Sequence, residues 1–188
     1  MAELKRVFLG IDLSKELKQK VKQLKHLHYL SQLPIKLVEP DNSHIAIKFL
    51  DKLNSSQIEQ IIEIVKDFIA DTESFKVNIK NILIFPHLLN PRVLTLKVES
   101  KTLDNLGQEL IKKLEGLEFV IKENRPYAPH ITLGRINSHL SKNEIDRLIK
   151  IKFEEQEKVG FLTLFESQLS STGPTYLPLA RFDLKKDL

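Results

Sequence analysis

The stretch Tyr127-Ala128-Pro129-His130-Ile131-Thr132-Leu133-Gly134-Arg135-Ile136 decides how this chain is read. Side chains of a β-strand alternate between its two faces, so a strand here places His130 and Thr132 together and turns Ile131 and Leu133 towards a core. Pro129 has no N–H to give and suits the start of such a strand. An imidazole and a hydroxyl two residues apart on an open face can hold an anion and move a proton. Strict alternation leaves Arg135 on the Ile131 face, and only a bulge near Gly134 brings it round to His130.

A second stretch of the same design lies earlier, at Ser43-His44-Ile45-Ala46-Ile47-Lys48-Phe49-Leu50. Here Ile45, Ile47 and Phe49 are expected inward, and His44, Ala46 and Lys48 outward. One such strand in each half implies two related lobes that face each other across a cleft, each presenting a histidine. The halves differ at one position, where Thr132 has a hydroxyl and Ala46 has none.

These two stretches resemble the paired His-x-Thr/Ser-x motifs of the 2H phosphoesterases, and among them the RNA 2′,3′-cyclic phosphodiesterases, also called 2′-5′ RNA ligases. The likeness extends to Arg6-Val7-Phe8-Leu9-Gly10-Ile11-Asp12-Leu13, to Val38-Glu39-Pro40-Asp41-Asn42-Ser43, to Pro91-Arg92-Val93-Leu94 and to Arg125-Pro126-Tyr127-Ala128-Pro129. Ala46 departs from the pattern. The resemblance implies an enzyme that opens 2′,3′-cyclic phosphate ends of RNA to 2′-phosphates, with 2′-5′ ligation as its reverse. It also implies His130 as the base towards water and His44 as the acid towards the leaving 3′ oxygen; the sequence by itself does not say which is which. Thr132 would hold a non-bridging phosphate oxygen, and Arg135 would add positive charge. Lys48, about 13 Å along the strand from His44 at ~3.3 Å per residue, is expected to touch the RNA backbone. Tyr127, Tyr176 and Phe182 are candidates to stack on a base, against core packing as the plainer role.

The composition fits this reading. The chain has 188 residues, 41% of them apolar, enough for one substantial core or two small lobes that share one. A formal charge of +4 favours an anionic partner without requiring one. The absence of cysteine excludes a disulfide scaffold and a four-cysteine zinc site. Neither motif strand carries Asp, Glu or Cys on its histidine face, so no metal and no cofactor is expected. No Gly-rich phosphate loop supports ATP-driven ligation, and no Gly-x-Ser-x-Gly elbow supports a serine hydrolase. No apolar run is long enough for a signal peptide or a membrane span, and the expectation is a cytoplasmic monomer. A binding protein that kept the cleft but lost turnover is the alternative favoured by Ala46. Within enzymes, 2′,5′-oligoadenylate or a small cyclic nucleotide would be alternative substrates.

The remaining segments frame the two strands. Arg6 to Leu13 reads as a buried strand, followed by a helix capped by Ser14 with Leu17, Val21, Leu24 and Leu27 or His28 on one side. Ile35 to Val38 is extended, and Asn54 or Ser55 caps a second helix striped by Ile58, Ile61, Ile62, Val65 and Ile69. Strands are expected at Phe75 to Phe85 and Val93 to Val98, with His87 on a loop between them. A third helix spans Leu103 to Leu114, a short strand Glu118 to Lys122, and a fourth helix runs from Ser141 to about Ile151. Phe161 to Leu169 and Tyr176 to Leu184 form a closing hairpin. The expected fold is one α+β domain over residues 1–188, two-lobed and pseudo-symmetric by duplication, with antiparallel sheets lining a central cleft and helices outside.

Overall fold

The computed structural model describes residues 3–170 and 173–186. Strand β1 (Lys5–Asp12) is buried along Val7, Phe8, Leu9 and Ile11, because both of its faces are covered. Ser14 caps helix α1 (Lys15–Leu27), its hydroxyl accepting from the Leu17 N–H at 3.1 Å. Leu17, Val21 and Leu24 form the buried side of α1, and Lys25 completes it while Leu27 points outward. Short β2 (Ile35–Leu37) precedes β3 (His44–Leu53). Helix α2 (Ser55–Ile69) opens with a reciprocal cap between Asn54 and Gln57. A long hairpin, β4 (Phe75–His87) and β5 (Asn90–Glu99), leads to α3 (Lys101–Leu114) and then to β6 (His130–Ile136). Helix α4 (Lys142–Ile149), β7 (Glu154–Val159), β8 (Phe161–Ser170) and β9 (Gly173–Asp183) close the chain.

The nine strands form one sheet, ordered β7-β4-β5-β6-β3-β1-β8-β9, with β2 beside β6, and every pairing between these strands is antiparallel. The antiparallel sheets expected to line the cleft are continuous with one another, and the lobes join at one seam, the motif strands β3 and β6. From that seam three further strands run outward on each side, which gives the pseudo-symmetry its physical form. Ile45 and Ile131, both fully buried, are the only β3–β6 partners in register. Beyond them the strands part, and β2 takes over the free edge of β6 by pairing Ile35, Lys36 and Leu37 with Ile136, Arg135 and Gly134. The parting opens the cleft.

Both motif strands carry an extra residue at the same place. Along β3, Gly10 opposes Ala46 but Leu9 opposes Lys48, so Ile47 is unmatched. Along β6, Thr95 opposes Thr132 but Leu94 opposes Gly134, so Leu133 is unmatched. Each bulge sits three residues after its histidine and flips everything beyond it to the other face. Phe49 and Arg135 thereby come onto the histidine faces, and Lys48 and Gly134 turn inward. Only glycine fits at 134: β2 packs so close that a Cβ would lie 2.6 Å from Ile35 Cγ2 and 2.9 Å from the Lys36 carbonyl oxygen.

Several expectations are corrected. Phe49 is exposed in the cleft, and Lys48 is buried, the reverse of strict alternation. Residues 118–122 form turn and coil, not a strand. The β4–β5 connection is a tight hairpin, so His87 ends β4 opposite Asn90 rather than lying on a loop between the strands. Strand β7, Glu-Glu-Gln-Glu-Lys-Val, was not foreseen; it is polar on both faces because it pairs only with β4 at the sheet edge.

Candidate active site

Each histidine is held by the chain just before it. His44 Nδ1 lies 2.8 Å from the Asn42 carbonyl oxygen, and His130 Nδ1 lies 2.7 Å from the Ala128 carbonyl oxygen. A carbonyl can only accept, so Nδ1 carries a proton in both states of each ring, and Nε2 is left to exchange one. The same two-residue reach back in both halves is the local form of the pseudo-symmetry.

Carrying the Ile45–Ile131 register one residue outward sets His44 across from Thr132 and Ala46 across from His130. The two imidazoles therefore lie on one face of the strands, on opposite sides of the Ile45–Ile131 pair. They are close enough for a charge on His130 to act on His44. A cavity of about 1150 Å³ lies over this face, walled by His44, Thr132, Arg135, Phe49 and Tyr176 among others. His130 is not among the residues that line the cavity; its ring lies beside Phe85, with centroids 5.2 Å apart.

The rings differ in setting. His44 is sandwiched by Phe8 at 4.7 Å and edge-on by Tyr176 at 5.0 Å between centroids. Burial pushes its pKa below the usual histidine value, opposed by the Asn42 carbonyl and Asp12 and aided by His130 and Lys18. Tyr176 is raised by its own burial, with Arg135 pulling the other way, which places the guanidinium charge near the phenol. Of the sequence candidates, His44, Thr132, Arg135 and Tyr176 meet in the cleft wall with His130 adjacent.

Three candidates do not contribute side chains to it. Lys48 Nζ lies 2.6 Å from Glu115 and 3.1 Å from Glu123, buried beneath β3, because the Ile47 bulge turns it inward. Phe182 is a core residue. Tyr127 packs on α3 at Gly107, where an added Cβ would lie 2.3 Å from the ring, and its hydroxyl donates to the Ala46 carbonyl at 3.4 Å. Burial raises the Tyr127 phenol far above the ordinary tyrosine value. Tyr127 thus ties the approach to β6 onto β3 instead of stacking on a base. Phe49, read from the sequence as core, is an exposed aromatic side chain of the cleft, whose wall also includes Tyr176.

Two anchored imidazoles with a neighbouring hydroxyl and guanidinium can bind an anion and move protons. Residues 11–95 match the family model described as LigT-like phosphoesterase. A Methanocaldococcus jannaschii protein named RNA 2′,3′-cyclic phosphodiesterase is 30% identical over 175 residues, covering 91% of this chain and 96% of its own. An Archaeoglobus fulgidus protein of the same name is 30% identical over 185 residues, covering 95% and 99%. The crystal structure of Escherichia coli LigT complexed with 3′-AMP superposes with a TM-score of 0.82 at 22% identity, covering 97% of this chain and 99% of that one. This chain belongs to the LigT-like phosphoesterase family.

Proposed function

We propose that the protein hydrolyses 2′,3′-cyclic phosphate ends of RNA to 2′-phosphates, with the two histidines moving the protons and no metal required. The observation that carries this reading is the pair of imidazoles, each fixed through Nδ1 to a carbonyl two residues back and set on opposite sides of the Ile45–Ile131 pair. Opening the ring needs a proton removed from water as it attacks phosphorus and a proton given to the leaving 3′ oxygen. His130, neutral, takes the first through Nε2; His44, protonated, gives the second. Each transfer is worth ~10²–10⁴ in rate. Thr132 donates its hydroxyl to a non-bridging oxygen, and Arg135 adds positive charge further along the same cleft wall. With a 5′-hydroxyl in place of water as the nucleophile, the same two groups serve 2′-5′ ligation: the P–O5′ bond forms as the P–O3′ bond breaks. The lowered pKa of His44 makes its imidazolium scarcer but a readier donor, and a bound phosphate anion favours its charged form. The names carried by the relatives support the substrate class.

Incubating RNA that ends in a 2′,3′-cyclic phosphate with the protein in EDTA tests this. The expected product is a 2′-phosphate. A divalent-metal requirement or a 3′-phosphate product contradicts the assignment. Ala46, which leaves His130 without a facing hydroxyl, favours a second reading as an RNA-end binding protein; tight binding without turnover would establish it.

A further inference from the structure

Lys36 of β2 and Arg135 of β6 are direct cross-strand partners, and both are exposed in the wall of the cleft. Like charges placed opposite one another destabilise a sheet. Neither side chain has a hydrogen bond or ion pair among the described residues, so no such partner there offsets this. The carboxylates along the cleft serve elsewhere: Glu123 holds Lys48, Glu39 bears on buried Lys25, and Asp51 lies opposite Val7 beside Arg6 at the other end. Thr132 is three residues from Arg135, about 10 Å along the strand at ~3.3 Å per residue. One nucleotide together with the four-carbon stem of Lys36 spans that separation.

We infer that Lys36, opposite Arg135, forms a second anion subsite that takes the phosphodiester on the 5′ side of the terminal nucleoside, making the protein selective for chain ends over free cyclic mononucleotides. This rests on the proposed function and assigns its substrate one nucleotide further. A lysine suits the role, because a backbone phosphate demands charge without a fixed geometry.

The test compares three substrates with the same cyclic terminus: a nucleoside 2′,3′-cyclic phosphate, a dinucleotide, and the dinucleotide with a neutral methylphosphonate linkage. The expected order of kcat/KM puts the charged dinucleotide first. Lys36→Gln should cut its advantage roughly 5-fold, leave the mononucleotide unchanged, and have no effect on the methylphosphonate. The dependence of dinucleotide binding on salt should lose about 0.7 in its log–log slope. Equal slowing of all three substrates, or of none, overturns the subsite. The same comparison by equilibrium binding of 2′-phosphate-ended mono- and dinucleotides reads it without turnover. A protein that binds with the expected selectivity yet opens no ring keeps the subsite and overturns the enzyme.

Discussion

Replacing Lys48 by Met should destabilise the protein without touching its affinity for RNA. The ammonium is 1% exposed and lies between Glu115, 16% exposed, and Glu123, 53% exposed. The Glu123 N–H also donates to Glu115 Oε1 at 2.9 Å, so one carboxylate oxygen gathers two donors. Removing one member of a fully buried pair costs about 3–5 kcal/mol. Both carboxylates here keep some water, which brings the expected loss to about 2–3 kcal/mol, or roughly 5–10 °C in Tm for a chain of this size. Burial pushes Glu115 up, but the Lys48 and Glu123 hydrogen bonds outweigh it and hold the carboxyl below its ordinary value. A depressed carboxyl stabilises above its unfolded pKa and ceases to as pH falls through the folded one. The gap between wild type and Lys48→Met should therefore narrow in acid. Denaturant melts at pH 7 and pH 4, with RNA binding followed against salt, measure both effects. An unchanged melt together with a shallower salt slope would put Lys48 on the open face and refute the bulge at Ile47.

Thr132→Ala removes the hydroxyl across from His44, a bond to a charged group worth ~1.5–3 kcal/mol, and should slow cyclic phosphate opening roughly 10- to 150-fold. Ala46→Thr should speed it by less, since Gly10, its partner on β1, sets no side chain against it; steady-state rates decide both. Gly107→Ala would set a Cβ 2.3 Å from Tyr127 and push the segment whose Ala128 carbonyl orients His130. It should cost about 1–3 kcal/mol and lower kcat; a variant with both unchanged contradicts the tie. Burial lowers Lys25 to about 8 from 10.5 while its ammonium donates to the Val38 carbonyl at 2.6 Å. Between those values the unfolded chain binds the proton more readily, so stability should rise with pH by up to about 3 kcal/mol. Lys25→Met should flatten that rise, and a slope that survives in denaturant melts would assign it to another group.

The two histidines, Thr132 and the strands that carry them were legible because a period of two acts over three residues without interruption. Beyond them the pattern fails at Ile47 and Leu133, since a bulge leaves no mark in hydrophobicity. Gly134 was the available hint: it lies next to the bulge and admits the close approach of β2. The same displacement misplaced Lys48 and Phe49, while the bulge condition foreseen for Arg135 was met one residue early. Helices α1, α2 and α4 followed from caps that bond into the first turn, Ser14, Asn54 and Ser141, whereas α3 followed from its leucine spacing and its cap, Ser100, was missed. Strand β7 had no apolar face to betray it, and Tyr127 could not be told from a stacking ring without Gly107, twenty residues away, beneath it.

The pH dependence of kcat/KM, in wild type and in His44→Ala and His130→Ala, tests the two-histidine claim most directly. A neutral base and a protonated acid give a bell, which falls on the alkaline side as the acid loses its proton. Burial among Phe8 and Tyr176 lowers the pKa of His44, one of the two that bound the bell, and loss of the His44 proton is what closes the bell on its alkaline limb. His44→Ala should abolish this limb and His130→Ala the acidic one, each with most of the activity. A wild-type bell whose alkaline limb survives in His44→Ala would contradict the account.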